Sequence, residues 1–292
     1  MTTAFVLSGG GNLGPMQAGT ILALEEAGIR PDLFVGTSVG SLNAGFLSTR
    51  PGVSGARTLV DAWNALRRRE AVQLNPIRAL AGFLGVRNHL ISPTQLRRLI
   101  GRWIEVDRIE DTRVPLAVTA TDALTGEAVV FTNGNAADCL AASSAIPGLF
   151  PPVQIGSRWF IDGSLSANRP VLQAQDLGAD RIFVITTNTA ARLTPPRGAV
   201  AMAMNSVSLI TSRTARNELA QALRHAESTG GQIHVVPSSE PAAPGPFDYG
   251  RSASLAEAAY RHTRRWLLET ELSPATPERR SSQRTEEPSP NA

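Results

Sequence analysis

The sequence predicts an alternating α/β fold around parallel core strands, on three observations. Ala4-Phe5-Val6-Leu7 is an apolar run that passes into Ser8-Gly9-Gly10-Gly11-Asn12-Leu13-Gly14 and then into a helix-forming stretch. Leu33-Phe34-Val35 does the same through Gly36-Thr37-Ser38-Val39-Gly40. Arg158-Trp159-Phe160-Ile161 reads as a strand that stops at Asp162-Gly163. Short continuous apolar runs suit strands buried on both faces, and glycines mark turns too tight for side chains.

Taken in order, the first helix opens with Pro15, whose missing N–H is one that a first turn cannot use, and stops at Gly28. Val114 to Ala120 and Glu127 to Phe131 form a hairpin across Asp122-Ala123-Leu124-Thr125-Gly126. Ala136 to Ser144 is a helix that ends before Pro147. Arg181 to Thr187 and Ile233 to Val236 are further strands. Val200 to Glu227 forms a long helix whose expected buried residues are Met202, Val207, Ile210, Leu219 and Leu223. An amphipathic helix from Ser254 to Leu272 closes the domain. Residues 273–292, rich in Ser, Pro, Glu and Arg, cannot bury enough apolar surface to order themselves and are expected to be a disordered tail.

The pentapeptide Gly36-Thr37-Ser38-Val39-Gly40 fits a nucleophile elbow. The serine occupies a strained strand-to-helix turn, the glycines remove clashing Cβ atoms, and the helix N-terminus points at the serine oxygen. The glycine-rich loop upstream admits two readings. Gly9, Gly11 and Gly14 satisfy the dinucleotide pattern G-x-G-x-x-G, which calls for an acidic residue about twenty positions on, after the second strand. Asp32 precedes that strand instead. The alternative is an oxyanion hole of backbone amides around Gly9, Gly10, Gly11, Asn12 and Gly14, and neighbouring parallel strands would bring both turns to one sheet edge. That reading prevails. A serine nucleophile needs a base. None of His89, His225, His234 and His262 follows a strand in a glycine-marked turn, whereas Asp162 does.

These blocks, in this order, resemble the patatin-like phospholipase family. Ala142-Ser143-Ser144-Ala145-Ile146-Pro147-Gly148-Leu149-Phe150-Pro151-Pro152-Val153 is similar to the family's segment before its catalytic aspartate, and Asn168 and Pro170 keep the family's spacing after it. The resemblance spans roughly residues 4 to 190. It implies a three-layer hydrolase fold with a mostly parallel central sheet and a helical cap segment. It also implies a Ser38–Asp162 dyad without histidine, acting on acyl esters of lipids as a phospholipase A or lysophospholipase. An acyltransferase or neutral-lipid esterase with the same dyad, and a catalytically silent lipid-binding protein, stand as alternatives. Two departures are visible. Leu13 stands where the family often has Lys or Arg, with an expected effect on headgroup preference. Ser164 stands where a second glycine often follows the aspartate, with little expected effect. Asp162 must stay ionised, so hydrogen-bond donors rather than a dry apolar surround are expected about it.

The chain has 292 residues, 42% of them hydrophobic, enough for one large core. Its single cysteine, Cys139, excludes an internal disulfide, and no Cys/His cluster has metal spacing, so neither metal nor cofactor is expected. The first strand begins by Ala4 and leaves no room for a signal peptide, and no apolar run reaches membrane-spanning length. A cytoplasmic enzyme with a peripheral hold on membranes is the expectation. Residues 56–104 hold nine arginines against Asp61 and Glu70, interleaved with apolar residues, and Ser92-Pro93-Thr94-Gln95 reads as a capping box. This segment is expected to be the cap, meeting anionic lipid surfaces. All 28 basic residues are arginine, a uniformity that gives little support to nucleic-acid binding.

Overall fold

A computed structural model describes residues 1–66, 89–187, 198–238, 249–270 and 272. In chain order these form β1 (Thr3–Leu7), α1 (Gly14–Glu26), β2 (Leu33–Thr37), α2 (Val39–Thr49), α3 (Gly52–Ala65), α4 (Thr94–Trp103), β3 (Leu116–Asp122) and β4 (Ala128–Phe131). There follow α5 (Ala136–Ser143), β5 (Val153–Ile155), β6 (Arg158–Asp162), α6 (Ser164–Ala167), α7 (Val171–Asp176), β7 (Arg181–Ile185), α8 (Ala199–Thr229), β8 (Gln232–Val236) and α9 (Ser252–Glu269).

The eight strands make one sheet, hydrogen-bonded in the path β5-β6-β3-β2-β1-β7-β8, with β4 beside β3. Strands β3, β2, β1, β7 and β8 are parallel, while β4 and β6 run antiparallel to β3. On one edge of β3, β4 pairs with Val118 to Thr121. On the other, β2 ends at Thr37 opposite Thr119, and β6 takes over with Asp162 opposite Ala120. A single strand thus passes from the one that carries Ser38 to the one that carries Asp162. The antiparallel course of β6 brings its last residue back to the level where β2 ends.

Alternation along the strands sends side chains to two faces. Phe5, Leu7, Phe34, Phe183 and Ile185 pack under α1 to α5 and α9. Ala4, Val6, Leu33, Val35, Ile182 and Val184 pack against α7 and α8 through Val171, Ala174 and Ala222. The result is the three-layer α/β architecture. Of the expected buried face of α8, only Leu219 packs on the core; Met202, Val207, Ile210 and Leu223 are exposed. The buried stripe is instead Thr211, Ala215, Glu218, Ala222 and Ala226, because small residues let the helix approach the sheet closely.

Both described parts of the 56–104 segment, α3 and α4, belong to this body. Trp63 and Trp103 meet edge to face at 5.2 Å, and Trp103 meets Phe46 of α2 at 5.7 Å. Residues 67–88, the middle of the 56–104 segment expected to be the cap, lie outside the described residues, as does the tail 273–292. The capping box is displaced. α4 starts with Thr94, and Ser92 Oγ accepts a long bond from the Thr94 N–H (3.4 Å), while Arg97 N–H reaches the Pro93 carbonyl (3.0 Å). Among the described residues no helix is long and apolar enough to cross a membrane.

Candidate active site

Ser38 caps α2 with φ 54° and ψ −125°, and no other described non-glycine residue has positive φ. Such a backbone costs about 1–3 kcal/mol and persists only where its surroundings fix it. The Ser38 carbonyl accepts from the Ser41 N–H (2.9 Å) and the Ser41 hydroxyl (2.7 Å), and the Ser38 N–H donates to Ser143 Oγ (2.9 Å). A Cβ on Gly36 would lie 2.6 Å from Ser41 Cα, and one on Gly40 would lie 2.3 Å from the Leu7 carbonyl oxygen. Backbone fills both places, so only glycine fits. Thr37 donates its hydroxyl to the Ala167 carbonyl (2.7 Å) and meets the Thr119 hydroxyl. Val39 is buried, with its side chain beside Gly14.

Asp162 is 3% exposed, and its Oδ2 accepts the Ser38 hydroxyl at 2.7 Å. Its Oδ1 accepts the Ser164 hydroxyl (2.6 Å) and the Ser164 N–H (2.8 Å). Its backbone is held by the Ala145 carbonyl, which accepts the Asp162 N–H at 2.9 Å, and by the Thr121 hydroxyl, which donates to the Asp162 carbonyl at 2.9 Å. Gly163 follows because a Cβ there would sit 2.3 Å from the Thr119 carbonyl oxygen. The expected donors are therefore present, but in a nearly sealed place. Burial pushes the Asp162 carboxyl above its usual range, and the bonds from Ser164 and Ser38 pull it partly back. Three of the four histidines lie elsewhere: His234 stacks on Phe183 in the sheet, and His225 and His262 lie on α8 and α9.

The glycine-rich loop lies against the elbow, since β1 pairs with β2 and Leu7 is opposite Gly36. Its five expected members separate by what their amides do. Gly9 donates to the Asn168 carbonyl (3.2 Å) and Gly14 to the Gly11 carbonyl, so both amides are engaged. A Cβ on Gly14 would lie 2.2 Å from the Trp63 ring, a spatial demand for glycine. Gly11 is left-handed at φ +57°, and among the described residues none accepts the Gly10 or Gly11 N–H. Asn12 is buried at the same turn. A buried chain holds the loop from below. Trp63 Nε1 donates to Asn43 Oδ1 (2.8 Å), Asn43 Nδ2 to Gln17 Oε1 (2.9 Å), and Gln17 Nε2 to the Ser8 carbonyl (2.8 Å).

Leu13 departs from its expected role. It is 3% exposed and packs with Met16, Leu255 and Ala259, so it faces α9 rather than a ligand. Ser143, Thr119, Thr121, Asn43 and Gln17 all position the site and were not legible as such. No short motif marks a polar residue whose partner lies tens of residues away.

Residues 5–174 match the profile of the family described as patatin-like phospholipase. The chain belongs to the patatin-like phospholipase family. Among similar curated proteins is lysophospholipase NTE1 of Candida glabrata, 27% identical over 190 residues, covering 65% of this chain and 11% of that protein. Another is lysophospholipase NTE1 of Phaeosphaeria nodorum, 25% identical over 289 residues, covering 92% of this chain and 18% of that one. This patatin-like chain thus spans about a tenth to a fifth of the length of the curated relatives it matches. Among solved structures, VipD from Legionella pneumophila aligns with a TM-score of 0.48 at 16% identity, covering 92% of this chain and 67% of that one. The ExoU–SpcU complex of Pseudomonas aeruginosa aligns with a TM-score of 0.39 at 18% identity, over 92% of this chain and 51% of that one.

Proposed function

We propose that this chain hydrolyses fatty-acyl esters of lipids, as a phospholipase A or lysophospholipase, through Ser38 and Asp162. The observation that carries the reading is the 2.7 Å bond from the Ser38 hydroxyl to Asp162 at a strained elbow, in a member of the patatin-like phospholipase family. Asp162 takes the Ser38 proton as Ser38 Oγ attacks the ester carbonyl. The tetrahedral intermediate places its oxyanion toward the glycine-rich loop, where the Gly10 and Gly11 amides have no acceptor among the described residues. Each such donor lowers the barrier by roughly 3–4 kcal/mol. Collapse expels the alcohol, which carries off the proton from Asp162, and leaves an acyl-serine. Water then attacks the acyl-serine, giving its proton to Asp162, which passes it to Ser38 Oγ as the acyl C–O bond breaks and the fatty acid leaves.

The lysophospholipase name of the relatives, and the positive charge of residues 56–104, support lipid aggregates at anionic surfaces as the place of action. Labelling by a fluorophosphonate probe, followed by incubation with a mixed lipid extract, tests the reading. Labelling together with loss of glycerophospholipids and release of free fatty acid is the expected result. Acyl groups moved to another lipid without free acid would indicate a transferase. Loss of neutral lipids alone would indicate a neutral-lipid esterase. Absence of labelling would leave only a silent lipid-binding protein.

A further inference from the structure

Ser164 adds a hydroxymethyl group to the glycine that would suffice for the turn after Gly163. That hydroxyl lies between the two parts of the site. It donates to Asp162 Oδ1 at 2.6 Å, and a Cβ on Gly9 of the glycine-rich loop would come within 2.4 Å of it. The Ser164 N–H donates to the same oxygen at 2.8 Å. Both contacts fall on Oδ1, and the Ser38 hydroxyl falls on Oδ2 at 2.7 Å. The carboxylate is therefore oriented about its own axis, with one oxygen anchored and the other presented. Rotation would exchange the oxygens and break three bonds at once.

We propose that Ser164 is a positioning residue for Asp162. Its hydroxyl and amide anchor Oδ1, so that Oδ2 faces Ser38 as an ionised acceptor within a sealed site. The inference rests on the assignment of Asp162 as the base, and it goes beyond it by giving a role to the neighbour that departs from the family's usual glycine. The physical need is evident from the surroundings. Burial disfavours the carboxylate, and only Ser164 and Ser38 act against it. The groups on neighbouring elements are neutral: Thr119 and Thr121 on β3, Ser143 on α5, and Gly9 in the loop. Among the described residues no cation acts against the burial of Asp162, which leaves hydrogen bonds to oppose it. Glycine at this place keeps the amide contact and loses the shorter one.

The decisive measurement is the titration of the Asp162 carboxyl carbon by NMR in the full chain. The signal is assigned by its disappearance in Asp162→Asn and followed in wild type, Ser164→Ala, Ser164→Cys and Ser164→Thr. A hydrogen bond to a charged group corresponds to about one to two pH units. The expected midpoint rises by that amount in Ser164→Ala, rises less in Ser164→Cys with its weaker donor, and stays near wild type in Ser164→Thr. The pH at which fluorophosphonate labelling of Ser38 is half-maximal should rise in parallel. Coincident midpoints for alanine and serine would overturn the proposal, and so would a threonine variant that titrates like alanine. Should one variant fail to fold, the ordering of the remaining two against wild type decides the matter. A shifted titration in a protein that the probe never labels would leave the placement standing and remove the hydrolase reading instead.

Discussion

A serine hydroxyl 2.7 Å from a carboxylate is common on protein surfaces; sealing the pair from water gives it chemical consequence. Ser38 and Asp162 are 6% and 3% exposed, so under the proposed dyad a proton would move between groups that water does not screen. Ser38→Ala and Asp162→Asn should each lower ester turnover by roughly 10⁴-fold, with far-ultraviolet circular dichroism and melting curves close to wild type. Near-normal turnover in either would remove the dyad. The pH dependence has a definite sign. Burial raises the Asp162 carboxyl above its usual value, and in the proposed role of base it would work only when ionised. Turnover should therefore be lost as pH falls through a midpoint above the ordinary carboxylate range. An acid limb within that ordinary range would show that another group limits the rate. Leu13 makes a contrasting point. Leu13→Arg would place a guanidinium among Met16, Leu255 and Ala259, and should destabilise the fold by roughly 2–4 kcal/mol in urea titration without altering the preference between phospholipids and neutral esters. A stable variant with altered preference would restore Leu13 as a selectivity position.

At the scale of elements, what was legible follows from which interactions are local. The strand–turn–helix units around Gly9 to Gly14 and Gly36 to Gly40, and the strand ending at Asp162, are set by neighbouring residues, and all form where expected. The antiparallel course of β6 and its succession to β2 along β3 depend on pairing between residues 120 and 162, which no periodicity encodes. Helix α8 illustrates the other failure. Large apolar residues at helical spacing suggest a core face, yet Ile210 is 64% exposed while Ala215 and Ala222 are fully buried. Close packing selected small residues, and the stripe they form also buries Glu218. That carboxyl has no well-formed hydrogen bond to either oxygen, and burial pushes it up to about 8, with Gln173 and Arg169 only partly opposing. Its folded value lies above its unfolded one, so its contribution to stability is complete below about pH 4.5 and is lost as pH rises toward about 8. Glu218→Gln should therefore flatten the fall in unfolding free energy between pH 5 and pH 9, measured by urea denaturation. Parallel curves for the two proteins would show that Glu218 ionises freely in the folded state.

At the scale of the whole molecule, the charge is unevenly distributed. The segment 56–104 carries nine arginines, and its ends are fixed to the body by α3 and α4. Leu90 and Ile91 then bond to the carbonyls of Gly148 and Leu149 (3.0 and 2.8 Å), in the stretch that leads to Asp162. The segment therefore returns to the core beside the stretch that leads into the strand pair ending at Asp162. Not all of its arginines are available to a lipid surface. Arg57 pairs with Glu26 at 2.7 Å and Arg97 with Asp138 at 2.8 Å, so neutralising either would also break an ion pair on the protein's own surface. Arg67, Arg68, Arg69 and Arg98 are better probes of surface attachment. Each basic residue near an anionic bilayer contributes about 1 kcal/mol, reduced by salt over a Debye length of about 8–10 Å. Replacing those four with Gln should therefore weaken binding to phosphatidylserine vesicles by roughly 10²–10³-fold at low salt. It should lower vesicle hydrolysis accordingly and leave turnover of a soluble short-chain ester unchanged. Raising the ionic strength should imitate the substitutions in wild type. Equal vesicle binding by the two proteins would mean that the arginines only solvate a helical layer, and that the substrate reaches Ser38 without electrostatic help from this segment.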